Sequence, residues 1–96
     1  MSAADGYVPF PGSEWFKNEP SSPIISMMAM RLVEEGCSEF GPAGPPSAHP
    51  LSGRQWTTHH RNCYARWQRK LGYQGADADG WPGAKSWAKL RVPYSE

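Results

Sequence analysis

WQRKLGYQGADADGWPGAKSWAKL, residues 67–90, decides how this 96-residue chain folds. It reads as the end of one helix, a tight acidic-glycine turn and a second helix. Gly72 follows Leu71 as a C-terminal stop. In the GADADG run (75–80), Asp77 or Asp79 can accept backbone N–H bonds and Gly80 can take a positive φ. Pro82 then opens a short helix, to about residue 91, that turns Trp87 and Leu90 inward.

Working back from Gly72, apolar residues recur at spacings of three and four: Trp56, His60, Cys63, Tyr64, Trp67 and Leu71. They define the buried face of a helix over about 57–71, with Thr57 as N-cap behind the apolar Trp56. Ser52, with Gln55 three residues on, is the alternative start. Arg61, Arg66, Arg69 and Lys70 fall mainly outside the buried face. A further helix over about 23–35 has Ser22 as N-cap, Pro23 at its first position and Gly36 just past its end. Ile24, Ile25, Met28, Ala29, Leu32 and Val33 form its stripe, Met27 and Met30 widen it, and Arg31, Glu34 and Glu35 lie off it.

The rest is irregular. Residues 1–21 form a proline- and aromatic-rich arm, expected to be extended because prolines fix φ and oppose helix. Its Tyr7, Phe10, Trp15 and Phe16 are expected to pack across the helices. Residues 37–53 are a Gly/Pro/Ser-rich loop of a length often used for binding or bracing, tucked down by Phe40. Residues 93–96 are a tail. The expectation is an all-α, small three-helix domain over 22–92 with an extended N-terminal arm.

Composition fits one small domain. A core of this size is marginal unless large side chains fill it, and the five tryptophans do so. Charge is uneven: residues 1–48 carry six acids and two bases, residues 49–96 three acids and eight bases. No acid lies between Glu39 and Asp77. That interval favours polyanionic neighbours, either nucleic acid or acidic wall polymers. Two cysteines, Cys37 and Cys63, are too few for a disulfide framework, although one bridge is possible. Neither a signal peptide nor a membrane-length apolar run is present.

Catalytic constellations are missing. His59 and His60 point about 100° apart on a helix and chelate poorly. Cys37, Cys63 and His60 can be drawn as a zinc site, but their spacing matches no standard pattern. A Cys–His nucleophilic pair lacks an orienting third group. Asp77 and Asp79 lack the spaced oxygen ligands of a calcium loop. The expectation is a chain that is not an enzyme and needs no cofactor or metal.

The motif Trp67-Gln68, Leu71-Gly72, Asp79-Gly80-Trp81, Gly83, Ser86-Trp87 and Leu90 resembles the second half of peptidoglycan-binding domains, small three-helix modules that anchor wall-lytic enzymes. Their pattern is aromatic-Gln-x-x-Leu-Gly, a loop with Asp-Gly, an apolar residue and x-Gly, then Thr/Ser-Trp-x-x-Leu. The arm (Phe10-Pro11-Gly12, Phe16) and the Ser22-Pro23 helix are similar to versions in lysins of phages infecting high-GC Gram-positive bacteria. Most matched residues have structural roles: Gly72 and Gly80 meet backbone demands, Trp67, Trp81, Trp87 and Leu90 fill the core, and the Gln68 amide can bridge helix and loop. Trp81 departs from the pattern, where an aliphatic residue or Phe is usual, and is expected to be partly exposed.

The resemblance implies a non-catalytic module, phage-encoded, that binds peptidoglycan or an associated wall polymer at the bacterial surface after leaving the host cytoplasm without a signal peptide. Tyr73, Gln74, Asp77, Trp81 and Lys85, around the last interhelical loop, are the candidate ligand contacts, with Trp15 and Arg54 extending the surface. A second class stays open. The chain begins with Met and carries no catalytic half, which suits a virion or decoration protein docking on capsid or tail proteins. Nucleic-acid binding through the basic helix is the weakest alternative, because the last helix offers Trp87, Ala88 and Leu90 rather than base-reading side chains. No membrane association is expected.

Overall fold

The computed structural model describes residues 6–37 and 53–94. Among them are four α-helices, α1 (Ser13–Lys17), α2 (Pro23–Glu34), α3 (Thr58–Lys70) and α4 (Ala84–Leu90), and a 3-10 turn over Gly75–Ala78. Extended pairing is confined to isolated antiparallel bridges, Tyr7 with Pro93 and Ser21 with Gln55. Residues 1–5, residues 38–52, where most of the expected Gly/Pro/Ser-rich loop with Phe40 and His49 falls, and residues 95–96 lie outside the described residues.

Helix α3 runs through the core. The face predicted for it is buried at Trp56, His60, Cys63, Tyr64 and Trp67, with Leu71 packed at its edge. Its start is Thr57, whose N–H donates to His60 Nδ1 at 3.0 Å, so a core imidazole caps the helix. Helix α2 opens as its sequence predicts, with Ser22 Oγ accepting the Ile24 N–H at 3.2 Å and Pro23 in the first turn. It lays Ile25, Met28, Ala29 and Leu32 on α3 and α4, leaves Met27 half-buried and exposes Met30.

Two expectations are corrected. Residues 13–17 of the arm are helical rather than extended. Pro9 and Pro11 precede this turn, and no proline follows until Pro20, so the backbone between them is free to coil. Five residues are too few to show a helical period, and burial of Phe16 at 0 % exposure anchors the turn. The last helix begins at Ala84, two residues after Pro82. Gly83 takes the N-cap position, where its N–H donates to Ser86 Oγ at 3.3 Å. Of the four arm aromatics, Phe16 enters the core, Phe10 and Trp15 pack against it half-buried, and Tyr7 stays exposed.

The arm is held by directed bonds as well as burial. Trp87 Nε1 donates to Val8 O at 2.8 Å and Val8 N–H donates to Val92 O at 2.7 Å. Further along, Ser22 N–H bonds to Arg54 O and Trp56 N–H to Pro20 O, both at 2.9 Å. Phe16 meets Trp56 and Trp87 at ring-centroid distances of 5.6 and 5.2 Å, joining arm, α3 and α4 in one aromatic cluster.

Arg31, off the apolar stripe of α2, bonds across to α4. Its Nε donates to Leu90 O at 2.9 Å, satisfying a carbonyl at the end of α4, while its terminal nitrogens hold Glu34 at 2.5 Å and Glu35 at 2.6 Å. Lys70 donates to both the carbonyl and the carboxylate of Glu35. Cys37 and Cys63 are buried and unbridged, and burial pushes the Cys37 thiol up from its ordinary value.

Hydrogen bonds from Arg31 and Lys70 hold the Glu35 carboxyl below its usual range. A carboxyl depressed on folding contributes stability above its unfolded pKa and loses it as pH falls through the folded value. Thermal midpoints should therefore fall on acidification below about pH 4.5, the carboxyl's ordinary value, and Glu35→Gln should flatten that slope.

Gly80 and Gly72 provide a second test. Both have positive φ, +87° and +101°, but a Cβ on Gly80 would lie 2.4 Å from Arg61 O whereas one on Gly72 meets nothing within 4 Å. Gly72→Ala should cost about 1–2 kcal/mol, the left-handed backbone penalty alone. Gly80→Ala should cost roughly 3 kcal/mol or more, because α3 backbone must move as well. Urea denaturation of the two variants measures the difference.

Candidate functional site

The loop between α3 and α4 is clasped by two side chains of α3. Gln68 is 3 % exposed; its Oε1 accepts the Gly80 N–H at 2.8 Å and its Nε2 donates to Trp81 O at 2.9 Å. Arg61 Nε donates to Asp79 O at 2.8 Å, and its guanidinium lies 4.7 Å from the Trp81 ring centroid. Asp79 Oδ1 accepts the Trp81 N–H at 2.9 Å, the side-chain-to-backbone turn its sequence position suggests. The Trp81 ring also stacks on Trp56 at 5.5 Å and 19°, so an oversized residue is fixed half in the core and half on the surface.

Helix α4 is seated by Ser86. Its Oγ is 2.7 Å from the Tyr64 hydroxyl, and its carbonyl accepts from Trp67 Nε1 at 3.0 Å. Burial pushes the Tyr64 phenol well above its ordinary value, keeping it neutral and able to donate. The backbone on both sides of the groove is thus set by α3, through the buried Gln68, Tyr64 and Trp67 and the exposed Arg61.

Between these elements runs an open groove of about 490 Å3. Gln68 and Ser86 contribute to it from the buried side. Tyr73, Ala76, Asp77, Asp79 and Trp81 come from the segment after α3, and Gly83, Ala84 and Lys85 from the start of α4. Its volume lies within the range of about 300–1,000 Å3 usual for small-ligand sites.

Four of the seven predicted contacts therefore meet in one groove: Tyr73, Asp77, Trp81 and Lys85. The others do not. Gln74 is exposed at the base of the 3-10 turn, where its carbonyl accepts the Asp77 N–H at 3.1 Å. Trp15 is turned edge-on to Phe16 at 4.9 Å and belongs to the core margin. Arg54 is exposed beside the arm, with its carbonyl engaged by Ser22. Asp79 and Ser86 line the groove without having been singled out as contacts. The Gly83–Ser86 spacing, a cap position and its N3 residue, was the available signal for Ser86.

Two cations of the basic α3 stretch are spoken for, Arg61 by the loop and Lys70 by Glu35. Among the described residues, no group of three His, Cys, Asp or Glu side chains could hold a metal ion. No helix among them is long and apolar enough to cross a membrane.

Comparisons with known protein families, with curated proteins and with solved structures found no match.

Removing the clasp isolates its contribution. Gln68→Leu keeps the volume but leaves the Gly80 N–H buried without its acceptor, and should cost about 2–3 kcal/mol. Gln68→Glu should cost more at neutral pH, where a buried carboxylate faces the Trp81 carbonyl, and less once acid protonates it and restores the donation, by urea denaturation against the native chain at both pH values.

Proposed function

We propose that this chain is a non-catalytic module of the peptidoglycan-binding type, built on a three-helix frame of α2, α3 and α4, phage-encoded and acting at the bacterial cell wall. The observation that carries the proposal is the open groove beside the Gln68 clasp, which collects Tyr73, Asp77, Trp81 and Lys85. Aromatic faces and a few charged groups on a shallow, rigidly backed surface suit recognition of sugar rings and short peptides. Further support comes from the motif residues themselves: Gln68, Gly80, Trp81 and Trp87 take the bridging, turning and packing roles expected of them from their chemistry.

The test is sedimentation with purified sacculi from a high-GC Gram-positive host. The protein should co-sediment saturably. Tyr73→Ala removes a half-exposed ring from the groove and should weaken binding about tenfold, equivalent to roughly 1.4 kcal/mol. Arg54→Ala, away from the groove, should leave binding unchanged. Failure to sediment, together with saturable binding to capsid or tail preparations, would replace this proposal with a virion accessory role.

A further inference from the structure

The chain carries one sequence pattern twice, Ala4-Asp5-Gly6-Tyr7 and Ala78-Asp79-Gly80-Trp81. Aspartate before glycine is a step open to backbone isomerisation, because glycine lets the next nitrogen approach the side chain. The glycine nitrogen attacks the aspartate Cγ, the N–H proton and a carboxyl OH leave as water, and a five-membered succinimide forms. Water then opens the ring. Cleavage of the N–Cγ bond restores aspartate. Cleavage at the α-carbonyl leaves isoaspartate, whose main chain runs through the side chain and is one methylene longer.

At residues 79–80 the fold opposes each part of that reaction. The nucleophile is occupied, since the Gly80 N–H donates to Gln68 Oε1 at 2.8 Å and Gly80 is buried. The electrophile is drawn past it, because Asp79 Oδ1 accepts the Trp81 N–H at 2.9 Å, one residue beyond the attacking nitrogen. The peptide plane joining the two is pinned by Arg61 Nε, which donates to Asp79 O at 2.8 Å. Ring closure needs the Gly80 nitrogen eclipsed with the Asp79 Cβ, a ψ of about −120° by tetrahedral geometry at Cα. Asp79 sits at ψ −4°. Turning this plane carries Asp79 O and Gly80 N together, so it breaks the Arg61 and Gln68 bonds in one movement.

We infer that Asp79–Gly80 is a latent self-modification site, closed to isomerisation by Gln68 and Arg61 and reactive only when the loop leaves α3. The inference is independent of what the groove binds. Its product is self-locking. A Cβ on Gly80 would already collide with Arg61 O, so the approach to α3 has no room for a longer backbone. One isoaspartyl residue therefore keeps the loop from re-docking and removes a wall of the groove, which Asp79 and Trp81 both line.

The experiment is prolonged incubation in warm neutral buffer, with isoaspartate at positions 5 and 79 read by peptide mapping and electron-transfer fragmentation. In denaturing urea the two positions should react at similar rates, since both lie between alanine and glycine with an aromatic residue next. In the unaltered native chain Asp79 should react at least about tenfold slower than in urea, because reaction waits on local opening. Gln68→Leu should bring Asp79 to within a few-fold of its urea rate and leave the rate at Asp5 unchanged. Ile25→Ala, a truncation in the α2 core of comparable or greater cost, controls for general loss of stability and should leave Asp79 slow. The fraction bearing isoaspartate at position 79 should melt below the unmodified chain. Equal Asp79 rates in native and urea-unfolded protein overturn the inference. So does an unchanged rate in Gln68→Leu, or one that Ile25→Ala matches, which would route the reaction through global unfolding.

Discussion

A single buried amide organises the half of this protein that faces outward. Gln68 accepts from Gly80 and donates to Trp81, so two consecutive residues of the loop are fixed to the last turn of α3 from both sides of the amide. A buried amide is costly unless both ends are satisfied, and here both are satisfied by loop backbone lying against the helix. Gly80 is required by that approach, because α3 occupies the space of any side chain there. The position of Trp81, and through it one side of the groove, follows from the same contact.

Core and clasp share residues, so the shape of the groove and the stability of the fold are coupled. Trp81 stacks on Trp56, Trp56 on His60, and His60 caps the helix that carries Gln68. Ser86 seats α4 through Tyr64 and Trp67 while reaching the groove. Such an arrangement gives a small domain a surface with little freedom to rearrange.

Much of this was legible in the sequence, for identifiable reasons. The α3 face from Trp56 to Leu71 obeys helical spacing over four turns, and Ser22-Pro23 and Gly72 are strong local end signals. The bridging capacity of Gln68 followed from its chemistry next to a glycine turn. Features resting on distant or very short pieces were not legible. Helix α1 has too few residues to show a period. The bond from Arg31 to Leu90 O joins residues 59 apart in the chain, so nothing local separates Arg31 from an ordinary surface charge. Trp15 and Arg54 were grouped with the groove by residue type alone, and the paths of the arm and of the segment before α3 send them elsewhere. Pro82 looked like a helix start; the Gly83–Ser86 cap moved that start two residues on.

The pairing of Val8 with Val92 also has a mechanical meaning. Tyr7 and Pro93 form an antiparallel bridge, so the chain enters and leaves this region side by side. Tension applied through both ends loads the short ladder as a zipper, one bond at a time, and is borne there before it reaches α3. The first elements to yield under a pull are therefore the arm and the segment after α4, with the Trp87–Val8 bond next in line. A pull at this edge is therefore taken up first by backbone bonds that the Gln68 clasp does not share.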